Sequence, residues 1–299
     1  VTWESYLVFP EDCGSNLTWN LDASGTLTIS GNGAMDDFEM YNSDIPLVPW
    51  GEYLQANINT VIIDEGVTHI GNNAFRDWFS IKKVTLPSSL KSIGNDSFRA
   101  CGVTEITIPD GVTSIGEGAF LHTGIRTLEI PKSVTDLGAS AFSSMPNLVQ
   151  ITLPDELASI PAFAFCGDEA LSEIVIPASV KTIGDQAFAT NRYLQKIRFL
   201  GDAPAFAEDV FLYANNVECY YPADNVTWTE AVMQQYGGTV QWYSDDQYTE
   251  SSNPCGDDLI WTFDPDYARL TISGSGAITR LSKPRLPRAQ LRSTRNSRK

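Results

Sequence analysis

A small residue followed by phenylalanine recurs through the middle of this 299-residue chain, and this repeat constrains the fold more than any other feature. Successive phenylalanines are 22 or 23 residues apart. They are Phe75, Phe98, Phe120, Phe142, Phe165, Phe188 and Phe211. Fixed apolar positions with variable polar residues between them are typical of a solenoid. Each unit is too small to bury its own apolar face, so equivalent side chains should stack into columns along the array.

A second apolar block lies between the phenylalanines and predicts one short strand in each coil. Residues 81–87 read IKKVTLP, residues 103–109 read VTEITIP and residues 171–177 read LSEIVIP. Alternate apolar residues point to one side of a strand, and the proline, which has no N–H, ends it. The pattern therefore predicts a β-rich solenoid of 22–23-residue coils with short parallel strands.

An aliphatic residue lies five residues before each of the first six phenylalanines. The residue that follows it is glycine in five of these six coils. The exception is Pro161. Proline cannot adopt a positive φ. Either this coil bends differently, or the glycines are present because neighbouring coils approach closely. We favour close approach.

The composite repeat resembles the BspA-type leucine-rich repeats of bacterial surface proteins. The clearest stretches are VTLPSSLKSIGNDSFRAC (84–101), ITIPDGVTSIGEGAF (106–120) and IVIPASVKTIGDQAF (174–188). The resemblance covers about residues 58–217 and implies a leucine-rich-repeat solenoid. The family's cysteine is present only at Cys101, so we expect its slot to be a buried filler position. In the other coils the slot holds Trp78, Thr123, Met145, Asp168 and Asn191.

The flanking segments predict caps on the solenoid. We assign residues 1–57 to a β-rich N-terminal cap segment, 58–217 to the solenoid, 218–244 to a C-terminal cap and 245–254 to a polar linker. Exposed ends of a solenoid need such caps. Trp228, Tyr236 and Trp242 are expected to cover the last coil.

Residues 255–278 repeat the N-terminal cap segment, with Cys255 and Trp261 in the places of Cys13 and Trp19. This second copy stops where the first continues towards the repeats, and a stretch with 8 Lys/Arg and no acid, residues 279–299, begins there. We interpret this tail as a disordered or non-native end, the alternative being a basic arm that grips an anionic surface. The repeated module also predicts that the natural protein continues into another solenoid.

Composition excludes several classes of function. The formal net charge is −17, which argues against a nucleic-acid partner because phosphate binding needs a basic face. No apolar run is long enough for a membrane span. The five cysteines are not at metal-ligand spacing, and we expect free thiols. His69 and His122 occupy different positions of the coil, so we predict neither a catalytic site nor a cofactor.

An acidic cluster lies in the N-terminal cap segment, at Asp36, Asp37, Glu39 and Asp44. It does not follow a known calcium-binding pattern. We interpret it as a solvated surface, with a weak calcium site as the alternative.

The polar residues between the inward strand positions should form one continuous face, and this face is the candidate protein-binding surface. Its mixed composition predicts no large apolar patch. Its residues are Lys83 and Thr85, Glu105 and Thr107, Thr127 and Glu129, Gln150 and Thr152, Glu173 and Val175, and Lys196 and Arg198.

The family resemblance implies a non-enzymatic, monomeric protein of the bacterial cell surface or the extracellular space. Its expected role is adhesion to a protein or glycoprotein ligand, such as a host matrix or plasma glycoprotein. The first alternative is a structural spacer that presents other domains, which the repeated module at residue 255 favours. A remote alternative is a glycan-active enzyme that uses two of the carboxylates.

Overall fold

A computed structural model describes residues 10–42, 45–51 and 58–247 of the chain, and the backbone of residues 259–264 and 269–274. The chain forms two compact units, Val1–Gln247 and Tyr248–Lys299. None of the helices in the described ranges has the length and apolar character needed to cross a membrane.

The first unit consists of short strands joined by turns, and its described part ends in a single 3₁₀ turn at Asp245–Gln247. In chain order its strands are β1 (Leu17–Leu21), β2 (Thr26–Gly31), β3 (Gly33–Ala34), β4 (Met40–Tyr41), β5 (Ile45–Pro46), β6 (Thr60–Ile63), β7 (Val67–Ile70), β8 (Lys83–Thr85), β9 (Ser92–Ile93), β10 (Ser114–Ile115), β11 (Thr127–Glu129), β12 (Asp136–Leu137), β13 (Gln150–Thr152), β14 (Ser159–Ile160), β15 (Glu173–Ile176), β16 (Thr182–Ile183), β17 (Lys196–Phe199), β18 (Ala205–Phe206), β19 (Val217–Tyr221) and β20 (Val240–Ser244).

The strands form two ladders, in which each strand lies beside the equivalent strand of the next coil. The first ladder is made of the sheets β1-β2-β6-β8, β11-β13 and β15-β17-β19-β20, and the second of β3-β7-β9-β10-β12 and β14-β16-β18. The hairpin β1–β2 and the separate hairpin β4–β5 are antiparallel. The pairing between repeat coils is parallel and joins equivalent residues, as with Leu128 and Ile151 or Ile174 and Ile197. This arrangement confirms the predicted β-rich solenoid.

The repeating phenylalanines form one continuous stack in the core. All seven are fully buried, and neighbouring ring centroids are 5.3 to 5.9 Å apart with planes inclined by 5° to 21°. Trp50 extends the stack at its N-terminal end, since its ring lies 5.5 Å from that of Phe75. The predicted column is therefore confirmed and is one ring longer than the repeat indicated.

The slot that carries the family's cysteine is buried in every coil, as predicted. Three of its occupants are polar, and two of these, Asp168 and Asn191, accept hydrogen bonds from the backbone of the preceding coil. Asp168 Oδ1 accepts a hydrogen bond from Met145 N at 2.8 Å, and Asn191 Oδ1 accepts one from Asp168 N at 2.6 Å. A buried polar side chain is tolerated here because its partners are backbone groups of the neighbouring coil.

Close approach of the coils explains the repeated glycine. A Cβ atom at Gly184 would lie 2.4 Å from the backbone nitrogen of Ala162, and Gly184 does not have a left-handed φ. This confirms the explanation that we favoured.

Pro161 nevertheless has a local consequence, because the glycines donate a backbone hydrogen bond to the preceding coil, as Gly138 does to Ile115 O at 2.8 Å. Proline has no N–H to donate, and the second ladder is interrupted between β12 and β14.

Both ends of the solenoid are covered. At the N-terminal end the hairpin β1–β2 joins the first ladder through the pairing of β2 with β6. At the C-terminal end Trp228 packs on Phe199 with centroids 4.8 Å apart, and Tyr236 packs on Phe206 at 4.6 Å. Trp242 lies 6.1 Å from Phe199, so the three aromatic residues expected to cover the last coil do so.

The described part of the second unit is an antiparallel hairpin of β21 (Leu259–Asp264) and β22 (Arg269–Gly274). Trp261 pairs with Ile272, just as Trp19 pairs with Ile29 in β1–β2, so the backbone register of the first hairpin is repeated. The expectations for residues 248–254, for Cys255 and for the basic tail at 279–299 lie outside the described residues.

Candidate protein-binding face

The predicted candidate residues lie on the outward side of the first ladder, which we call the strand face. Their apolar neighbours along each strand point into the core: Leu128 and Ile151 are buried between exposed residues in β11 and β13. In-register pairing places the outward residues of successive coils side by side, for example Thr127 beside Gln150 and Glu129 beside Thr152. Glu173, Lys196 and Arg198 are half-buried, and the other nine candidates are exposed.

One coil departs from the predicted strand. Residues 104–108 are not assigned to a strand, although Glu105 and Thr107 are exposed and Ile108 is buried. The side-chain alternation is therefore kept without strand hydrogen bonding. The sequence pattern indicates which side chains are buried, but burial alone does not determine which backbone segments pair as strands.

The strand face continues beyond the residues found from the sequence. Lys196 and Arg198 of β17 are in register with Glu218 and Tyr220 of β19. Tyr220 in turn stacks on Tyr243 of β20, with centroids 5.6 Å apart. The sequence pattern placed residues 218–244, which hold most of β19 and all of β20, in the C-terminal cap. The alternation of polar and apolar residues in VECYY (217–221) was the available signal for this extension.

A groove of about 480 Å³ lies on the strand face where the first ladder is interrupted between β13 and β15. It is lined by residues of both strands and of the turns beside them. Val149, Val175 and Leu200 line it and are 41%, 40% and 46% exposed. The face is thus less uniformly polar than its composition indicated.

Charge is unevenly distributed along the strand face. The charged outward residues of the central coils are Glu105, Glu129 and Glu173. The next strand carries the basic residues Lys196 and Arg198. Glu173 lies in register with Lys196, which itself lies in register with Glu218, so charges alternate across β15, β17 and β19.

His69 lies in a contact that the sequence did not reveal. Its Nδ1 is 2.7 Å from Ser92 Oγ, and its Nε2 is 3.3 Å from Asp37 Oδ1. The same positions of later coils hold a comparable bond, from Thr182 Oγ1 to Ser159 Oγ at 2.7 Å. The serine contact therefore has a counterpart in a later coil of this column, and Asp37 ties the N-terminal cap to it.

The described members of the acidic cluster in the N-terminal cap lie around one cavity. Asp36, Asp37 and Glu39 line one cavity of about 390 Å³ together with Asp12. Within the described ranges, no group of three or more His, Cys, Asp or Glu residues could hold a metal ion. Asp44 lies outside these ranges.

The four cysteines within the described ranges are free thiols, as expected. Burial raises the pKa of Cys13 to about 11 and that of Cys101 to about 12, and it raises the pKa of Cys219 strongly. Thiols held in the protonated form are poor nucleophiles. These three side chains are thus packing groups of the core.

The chain matches the profile of the BspA type leucine-rich repeat region in six copies, over residues 51–122 and 91–218. It has no significant match among proteins with a curated description.

Several solved structures are similar to the chain. A leucine-rich repeat protein from Bacteroides ovatus is 16% identical over 80% of both chains, with a TM-score of 0.47. The T. pallidum leucine-rich repeat protein is 22% identical over 62% of this chain and 91% of its own, with a TM-score of 0.46. A leucine-rich cell surface protein from Faecalibacterium prausnitzii is 20% identical over 77% of this chain and 93% of its own, with a TM-score of 0.27.

Proposed function

The chain belongs to the BspA-type leucine-rich repeat family, and on that basis we propose that it is a non-enzymatic binding protein of the bacterial surface or the extracellular space. Its ligand is a protein or glycoprotein, with adhesion as the biological role. The protein acts as a monomer and needs no cofactor.

The observation that carries this proposal is the in-register strand face. The core takes up the inward apolar residues of every coil, and the outward positions are free to vary without disturbing it. Solenoids use such extended surfaces to contact large partners. The face also combines exposed aliphatic residues, carboxylates, half-buried Arg198 and half-buried Tyr243, which stacks on the buried Tyr220, and arginine and tyrosine are frequent at the centres of protein interfaces.

Binding of the purified chain to immobilised extracellular-matrix and plasma glycoproteins at physiological salt tests the proposal. Alanine at Glu105, Glu129 and Glu173 together should weaken capture at least tenfold. A matched triple variant changes Glu117, Glu169 and Glu208, which are exposed and lie outside the strand face. This control should bind like the parent. Equal capture by both triple variants would rule out the strand face.

A structural spacer is the second candidate function. The observation that favours it is the hairpin β21–β22, which repeats the register of the N-terminal hairpin and so supports a series of similar modules. A chain that captures none of the immobilised glycoproteins favours this alternative.

A further inference from the structure

The last strand of the first ladder in the described part of the chain is β20, which follows β19 in the sheet. Alternate residues of a strand direct their backbone groups to the same neighbour. Val217 N of β19 donates to Thr239 O at 3.0 Å, and Val217 lies in register with Val240. The backbone N–H and C=O groups of Val240, and by the same alternation those of Trp242 and Ser244, therefore point away from β19. We call these outward groups the β20 edge.

The side chain of Gln235 occupies the β20 edge at Val240. Its Oε1 accepts a hydrogen bond from Val240 N at 2.7 Å, and its Nε2 donates one to Val240 O at 3.0 Å. A side-chain amide carries the same kinds of donor and acceptor as a peptide group. Gln235 therefore makes with Val240 the two bonds that the opposite residue of an antiparallel strand would make.

The loop that carries Gln235 is fastened beside β20. Gly238 N donates to the backbone oxygen of Gln235 at 3.0 Å, and Trp242 Nε1 donates to the backbone oxygen of Gln234 at 3.1 Å. The next residue, Tyr236, packs on Phe206 in the core. These contacts hold the loop in place, so the amide of Gln235 is positioned over the edge.

We propose that Gln235 closes a strand-addition surface, the β20 edge, and that the partner which fits this surface is β20 of a second copy of the chain. When the amide is removed, two β20 strands pair antiparallel about a two-fold axis. Val240 of each copy then lies opposite Ser244 of the other. An unblocked edge strand is a template for such pairing. The proposal is independent of the proposed function, because the β20 edge is not part of the strand face.

Charge favours the antiparallel orientation. Asp245 and Asp246 follow β20 directly. A parallel arrangement of two β20 strands would bring these carboxylates of the two copies together, and like charges side by side oppose pairing. Antiparallel pairing places the two acidic pairs at opposite ends of the shared sheet. The interface is one five-residue strand from each copy, so the dimer should be weak.

Sedimentation equilibrium of the full chain at about 0.1–1 mM, the range in which weak complexes form, tests the proposal. Gln235→Ala should raise the association constant of the dimer at least tenfold over the parent. Gln234→Ala is the matched control, because the Gln234 side chain donates to Glu230 O and its backbone oxygen, which holds Trp242, is kept. This control should sediment like the parent.

A second substitution tests whether the new dimer uses the β20 edge. Proline at position 244 removes the outward N–H of Ser244, and an edge strand tolerates this loss. Adding Ser244→Pro to Gln235→Ala should therefore return the association constant to that of the parent. Association of Gln235→Ala no stronger than that of the parent, or association that Ser244→Pro does not reverse, would overturn the proposal.

Hydrogen exchange of the Val240 amide measures the blocking contact itself. At low protein concentration, where the chain is monomeric, this amide should exchange at least tenfold faster in Gln235→Ala than in the parent or in Gln234→Ala. If circular dichroism shows that Gln235→Ala does not fold, Gln235→Asn replaces it in both experiments, because its amide is one methylene too short to reach both groups of Val240. Equal exchange in the folded variant and the parent would show that Gln235 does not close the edge.

Discussion

Gly138 lies so close to Glu117 of the preceding coil that a Cβ atom at Gly138 would be 2.2 Å from the Glu117 backbone nitrogen. The three nearest atoms are all backbone atoms of Gly116 and Glu117, so no flexible side chain can move aside. We therefore expect Gly138→Ala to destabilise the protein by about 1–3 kcal/mol, the usual cost of overpacking. Chemical denaturation followed by circular dichroism measures this loss.

Gly124→Ala is the matched control for that substitution. A Cβ atom at Gly124 would meet nothing nearer than 3.4 Å, which is ordinary van der Waals contact. The control should change the free energy of unfolding by no more than about 0.5 kcal/mol. Equal destabilisation by the two alanines would contradict close approach as the reason for the glycines.

Asp168 should make stability depend on pH. Burial raises the pKa of this carboxyl well above its ordinary value, and its Oδ2 has no hydrogen-bond partner within the described ranges. A raised folded-state pKa means that its contribution to stability is fully present below the unfolded pKa of about 3.9 and declines as pH rises towards the folded pKa. Asp168→Asn keeps the acceptor for Met145 N and removes this decline.

Unfolding measured at several pH values between 4 and 7 tests this effect. The parent should lose more stability across the range than Asp168→Asn, and the variant should be the more stable protein at pH 7. Asp136→Asn, which changes an exposed carboxyl, should follow the parent. Parallel pH profiles for the parent and Asp168→Asn would show that burial of Asp168 has been misassigned.

The cysteines should differ in their reactivity. Cys166 is half-buried, whereas Cys13, Cys101 and Cys219 are buried with raised pKa values. Because the thiolate is the reacting form, brief treatment with iodoacetamide should modify Cys166 before Cys13, Cys101 and Cys219. Peptide mass spectrometry reads out each site, and guanidinium should make all of them reactive. Native Cys101 that reacts as fast as Cys166 would contradict its burial.

The sequence predicts side-chain columns well because each column is a direct consequence of the repeat period. Phe98 and Phe120 follow from spacing alone. Trp50 does not, because it continues the stack with a different residue and lies before the first repeat of the pattern. The extension of the strand face to Tyr220 and Tyr243 was missed for a similar reason. These residues lie in β19 and β20, and the sequences of those two strands do not follow the repeat.

Backbone details of the site could not be predicted in the same way. Pro161 is visible in the sequence, but the groove depends on which strands of neighbouring coils remain hydrogen-bonded. Left-handed residues flank Phe98 at Asp96 and Ala100, with φ of 51° and 50°, so glycine does not mark these turns. The contact of His69 with Asp37 joins a repeat position to a cap residue that lies outside the periodic pattern.

The stack of buried phenylalanine rings should stabilise the whole solenoid, and Phe120→Ala tests this most directly. Phe120 is fully buried between Phe98 and Phe142, with centroids 5.4 and 5.9 Å away. Phe79→Ala makes the same chemical change at a side chain that is 67% exposed. Phe120→Ala should lower the free energy of unfolding by about 3–5 kcal/mol, and Phe79→Ala should change it by about 0.5 kcal/mol or less. Equal stabilities of the two variants would contradict this prediction.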